Sequence, residues 1–219
     1  VFLTAWDALV VQGGLTSGRW ALVHAGASGV GTAAIQIAGA VGARIAVTCS
    51  AGKAEACRAL GADLVLERSP HDWLTDAMAA VPEGFDVVLD SVGGELATLL
   101  FDSLAPFGRL VSFGVASGMP LTVASHAMMK RSVSVSGFHL DAVMAVPGRF
   151  STTLARLYGL VDLGALTPFV GLEVPLELAA DAHAAMESRR SMGKIVLSVG
   201  GAAGSENGAV RHHLTGRTG

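Results

Sequence analysis

The residues with the plainest chemical capacity are Gly26-Ala27-Ser28-Gly29-Val30-Gly31. A glycine-rich hexapeptide between an apolar strand and a helix can hold the diphosphate of a dinucleotide. Gly26 permits the tight turn, and small residues at Ser28 and Gly29 let the backbone approach the anion. Gly31 lets helix and strand pack closely. The start of the helix supplies amide donors and the positive end of its dipole. Ser28 stands where a middle glycine is usual, so its hydroxyl offers one more donor. The competing reading is a purely structural turn.

The next strand separates the two nicotinamide cofactors. An NAD site carries Asp or Glu about 20 residues after the loop, bonded to the ribose 2′-hydroxyl. Here that strand ends in Thr48-Cys49-Ser50, with no acid. Lys53 follows, and Arg68 closes the third strand near the same sheet edge. A missing carboxylate with nearby cations favours a 2′-phosphate, hence NADP(H). Either cation could alternatively be solvated surface charge.

These residues need a framework. Charged residues are only 15% of the chain and hydrophobic residues 51%, which excludes a disordered chain and suits buried parallel strands. A net charge of −3 provides no basic field for nucleic acid or an acidic membrane. Residues 20–43 lack Asp, Glu, Lys and Arg, but His24, Ser28, Thr32, Gln36 and five glycines interrupt them. That pattern is strand, turn and helix rather than a membrane span, and no signal peptide is expected before it. Cys49 and Cys57 make no disulfide framework, which fits a reducing cytoplasm.

Strand and helix signals alternate along the chain. Strands are expected at 20–25, 44–49, 63–66, 85–90, 109–113 and 132–138. Helices are expected at 29–41, 53–60, 70–80 and 95–104, with Gly61 ending the second and Ser69 capping the third. The fold class is therefore α/β, a doubly wound parallel sheet of about six strands spanning residues 1–150. After Phe150 come a helix at 151–163, an extended piece at 168–170, a helix at 176–187 and a strand at 194–199. With the sheet already complete, residues 151–199 are expected to belong to a second, incomplete domain. Residues 200–219 read as a flexible tail.

The stretch from Leu22 to Gln36 resembles the zinc-independent quinone oxidoreductase branch of the medium-chain dehydrogenase/reductase superfamily. The p53-inducible quinone reductase type within that branch has a very similar loop. Thr4-Ala5-Trp6, Leu60-Gly61-Ala62-Asp63, Asp90-Ser91-Val92-Gly93-Gly94 and Gly193-Lys194-Ile195-Val196-Leu197 agree in order and spacing. The resemblance covers about residues 1–199. It implies a Rossmann domain followed by a C-terminal return to a GroES-like catalytic domain, most of which this chain lacks. On that view the chain is a fragment or a truncated gene product.

Carried over by position, the resemblance puts Ser28, Gly29 and Val30 on the diphosphate. It puts Ser50 and Lys53 on the 2′-phosphate, with Arg68 replacing a tyrosine of many relatives. Ser91 and Val92 fall by the adenosine ribose. Phe113, Gly114 and Val115 line the nicotinamide side, with the backbone of Phe138, His139 and Leu140. Thr4 and Arg189 also fall at cofactor-contact positions. Trp6 stands where the family often has tyrosine.

No catalytic side chain is assigned. His24 reads as a buried, hydrogen-bonded histidine in preference to a catalyst. His139 is the better acid–base candidate, since it would face the nicotinamide cleft. His212 and His213 lack further ligands, and no Cys/His cluster suggests a metal. Asp90 reads as the orienter of the turn after its strand rather than as a catalyst. Gly26-Ala27-Ser28 is not a nucleophile elbow, because no matching Asp and His order follows.

The expected activity is transfer of reducing equivalents from NADPH to a quinone or similar conjugated small-molecule acceptor. The alternatives are a 2-enoyl-thioester reductase, suggested by Ser136-Gly137-Phe138-His139-Leu140, and an inactive NADPH-binding module. Relatives pair through the sixth strand, so a homodimer through residues 132–138 is expected.

Overall fold

The structure is a computed structural model that describes residues 1–67, 73–188 and 190–199. Arg68 and Arg189, the expected cap Ser69 and the expected tail lie outside the described residues.

The chain opens with helix α1 (Phe2–Trp6), which widens into a π-helical turn over Asp7–Gln12. No element was expected there. Apolar residues at Ala5, Trp6, Ala8 and Leu9 bury the inner face of this segment. Then β1 (Trp20–Val23), α2 (Gly29–Ala40), β2 (Arg44–Cys49), α3 (Ala54–Ala59) and β3 (Leu64–Glu67) alternate. They continue as α4 (Trp73–Ala80), β4 (Phe85–Asp90), α5 (Gly94–Asp102), β5 (Leu104–Ser112), α6 (Ser125–Arg131) and β6 (Ser134–Gly137). Helices α7 (Leu140–Met144) and α8 (Arg149–Asp162) lead to β7 (Val170–Pro175), α9 (Ala179–Glu187) and β8 (Lys194–Ser198).

Six strands form one parallel sheet in the order β3-β2-β1-β4-β5-β6. The order reverses between β1 and β4, which is the doubly wound Rossmann arrangement. Alternate residues feed two cores. Val23, Ile45, Val47, Val87, Leu89 and Val111 pack with α2 on one face. Leu22, Ala46, Val88 and Leu110 pack with Trp73, Leu100 and Phe101 on the other. Burial on both faces explains why these strands read as continuous apolar runs.

Two strand starts differ from expectation for local reasons. β5 begins earlier, at Leu104, because the register slips between Phe85 and Val87 and Phe107 bulges out at φ +64°. β6 begins later, at Ser134, because Ser132 (φ +55°) is the left-handed cap that ends α6. Neither α6 nor α7 was anticipated. Gly61 sits at φ +102° just past the end of α3, as expected.

β7 and β8 pair in parallel as a separate two-stranded sheet, covered by α9 through Leu172, Val174 and Ala182. The extended piece expected at 168–170 is a longer strand starting at Val170.

Candidate functional site

All six strands of the main sheet run the same way, so their C-terminal ends share one edge. The loop after β1 lies there, at the reversal between β1 and β4, where crevices form in such sheets. The Gly26 N–H donates to the Thr48 carbonyl at 2.9 Å, pinning the turn to β2. A Cβ on Gly26 would overlap the Val47 side chain. A Cβ on Gly31 would lie 2.5 Å from the carbonyl oxygens of both Ala25 and Gly26. These two glycines are therefore dictated by close packing of helix, turn and strand.

Ser28 is the N-cap of α2, and its Oγ accepts from the Gly31 N–H at 3.0 Å. Sequence reasoning gave this hydroxyl only a donor role. Here its oxygen occupies the third amide of the helix, after those of Gly29 and Val30. The cradle is thus backbone, with a helix dipole behind it.

His24 is buried, with Nδ1 2.6 Å from Thr48 Oγ1, so it ties β1 to β2. At the end of β2, Cys49 is buried and Ser50 is exposed. Lys53 closes a short 3-10 turn, and its Nζ donates to the Ser191 carbonyl at 2.6 Å. The acidic residue at this corner comes from the neighbouring strand, since Glu67 of β3 is in register with Cys49. Burial pushes the Cys57 thiol up to about 12 and raises Cys49 as well.

The ends of β4, β5 and β6 are wired together. Buried Asp90 accepts the N–H groups of Val92 and Gly93 at 2.9 and 3.0 Å through Oδ1, and the Ser112 hydroxyl at 3.2 Å through Oδ2. Asp90 therefore shapes the turn of Ser91 and Val92. The Phe113 N–H donates to the Asp90 carbonyl, and the Phe138 N–H to that of Ser112, both at 2.8 Å. A Cβ on Gly114 would lie 2.8 Å from the Ser91 carbonyl, so these two turns touch. Val115 is exposed. Leu140 begins α7, and Thr4 lies on α1, which packs against α2. His139 was expected in a cleft. Its side chain is 77% exposed and sits 3.4 Å from the Asp141 carboxylate.

The return segment closes over the loop, which sequence reasoning missed. The Gly193 N–H donates to the Ala27 carbonyl at 2.8 Å, and Gly193 bridges to Ser28 in a parallel sense. The available signal was the glycine itself at position 193, which takes a φ of +64° here.

A separate open cavity of about 460 Å³ is lined by Trp6, Val11, Arg149, Thr152 and Arg156, among others. Beside it the fully buried Asp7 pairs with Arg149 at 2.7 Å. Among the described residues, no three His, Cys, Asp or Glu side chains group as metal ligands. No helix among them is long and apolar enough to cross a membrane.

Residues 60–197 match the family model described as zinc-binding dehydrogenase. The spectinabilin polyketide synthase system protein NorB of Streptomyces orinoci is 34% identical over 205 residues, covering 90% of this chain and 9% of its own length. The quinone oxidoreductase of Escherichia coli, solved with NADPH, superposes with a TM-score of 0.82 at 28% identity, over 90% of this chain and 62% of its own. The CurK enoyl reductase superposes with a TM-score of 0.81 at 32% identity, over 90% of this chain and 59% of its own. The chain thus spans less than two thirds of the length of each of these relatives.

Proposed function

The chain belongs to the zinc-binding dehydrogenase family, and from that premise we propose that it binds NADP(H) in an enzyme that reduces a quinone or similar conjugated acceptor. The observation carrying this reading is the loop. The first-turn amides of Gly29 and Val30 open α2 directly after a turn in which a Cβ on Gly26 or on Gly31 would clash.

The residues fit the cofactor. The amides of Gly29 and Val30, with the Ser28 hydroxyl proton, would bind the diphosphate. Ser50 and Lys53 would take the 2′-phosphate, beside the expected Arg68. Ser91 and Val92 would border the ribose, and Phe113 to Val115 with Phe138 to Leu140 the nicotinamide. Thr4 and Arg189 would complete the contacts. The bound cofactor supplies the reducing equivalents. The protein's part is to orient it and shield it from water, and no side chain need act as a covalent catalyst. The edge strand β6 provides a surface for a homodimer.

A second reading, a 2-enoyl-thioester reductase, is favoured by the likeness to the CurK enoyl reductase. A third is an NADPH-binding module without turnover. Fluorescence titration with NADPH and NADH, then steady-state rates on a quinone and on a crotonyl thioester, separates them. Tighter NADPH binding with quinone turnover is expected. Turnover of the thioester alone selects the second reading, and binding without turnover the third. Equal affinity for both cofactors overturns the NADP assignment.

A further inference from the structure

Resting on the NADP(H) reading, we propose that residues 191–194 form a specificity-determining strap, in which the Ser191 carbonyl positions the Lys53 ammonium for a cofactor 2′-phosphate. Lys53 follows the end of β2, where this fold reads the adenosine ribose. Its Nζ donates to the Ser191 carbonyl at 2.6 Å, a contact spanning 138 residues of sequence. An ammonium carries three donors and no acceptor, so a carbonyl on one is compatible with phosphate oxygen on another. The contact is neutral on the acceptor side.

The strap is itself fixed. The Gly193 N–H donates to the Ala27 carbonyl at 2.8 Å, and the Lys194 N–H to the Phe169 carbonyl at 2.9 Å. One short segment therefore holds both the diphosphate loop and the lysine beyond β2. Lysine is a flexible side chain, and ordering it before the ligand arrives removes part of the cost of binding. The coupling must be reciprocal. If a docked strap favours the 2′-phosphate, a bound 2′-phosphate favours the docked strap by the same factor.

Hydrogen–deuterium exchange of the full chain tests this with adenosine 2′,5′-bisphosphate and with AMP, each at saturation. Amides of residues 191–194 are expected to exchange several-fold more slowly with the bisphosphate than with AMP. Lys53→Met should erase that difference. Equal exchange with both ligands, although the bisphosphate binds more tightly, overturns the strap alone. A difference that survives Lys53→Met also overturns it. A bisphosphate that binds no more tightly than AMP overturns the NADP assignment and this inference with it.

Discussion

Gly193 and Ala27, 166 positions apart in the chain, are joined by a backbone hydrogen bond of 2.8 Å that docks the return segment on the diphosphate loop. Gly193 adopts φ +64°, and a Cβ there would lie 2.5 Å from the Phe169 carbonyl oxygen. Gly193→Ala must therefore pay about 1–2 kcal/mol for the left-handed backbone, beyond the clash. Urea unfolding should show the loss. Affinities for NADPH and NADH should fall together, because the loop they share is disturbed. Unchanged affinity for both would show that the docking contact does not shape the loop.

Asp90 holds two backbone donors and the Ser112 hydroxyl inside the sheet edge. Asp90→Ala leaves the Val92 and Gly93 amides without that acceptor, at a cost of about 3 kcal/mol. Asp90→Asn keeps one acceptor oxygen and should lose roughly half as much. Denaturant midpoints for the two variants check the order. Equal stability of both with the parent would refute the turn-orienting role.

Asp7 is fully buried and Arg149 about one-third exposed, and they meet at 2.7 Å. Arg149→Ala strands a carboxylate in the core and should cost about 3 kcal/mol. Asp7→Ala in the same background should recover part of that loss, since the stranded charge is gone. The double-mutant cycle by thermal unfolding measures the coupling.

Cys57 is buried with its thiol pushed up to about 12, mainly by desolvation. In the unfolded chain a thiol titrates near 8.5. The folded state therefore keeps a proton that the unfolded state releases. Its contribution to stability is full below about pH 8.5 and is lost as pH rises toward 12. Unfolding free energy should slope downward in that window, less so in Cys57→Ala. At pH 7.5, iodoacetamide should label the native protein far more slowly than the urea-denatured one.

The sheet was largely legible in the sequence. β2 and β4 fall where expected because each has an apolar centre, Ile45 to Val47 and Val87 to Leu89, closed by a polar residue. The phosphate loop was legible because its glycines answer to neighbours a few residues away, plus one strand. Less was legible where a short element depends on its surroundings. β5 hides its first half behind Pro106, Phe107 and Gly108, and α6 ends on a left-handed Ser132 that carries no glycine signal.

By itself the sequence determined the α/β alternation, the position of the diphosphate loop and the absence of an acid at the end of β2. Each is a local property, set by periodicity or by a turn that only certain residues can make. Only the tertiary structure decided what Lys53 touches, that Ser28 caps α2 as an acceptor, and that Gly193 lies on Ala27. The lysine and glycine contacts cross more than a hundred residues, and the cap depends on how the loop leaves β1. No periodicity encodes such contacts, because they form only when the sheet brings its strand ends to one edge.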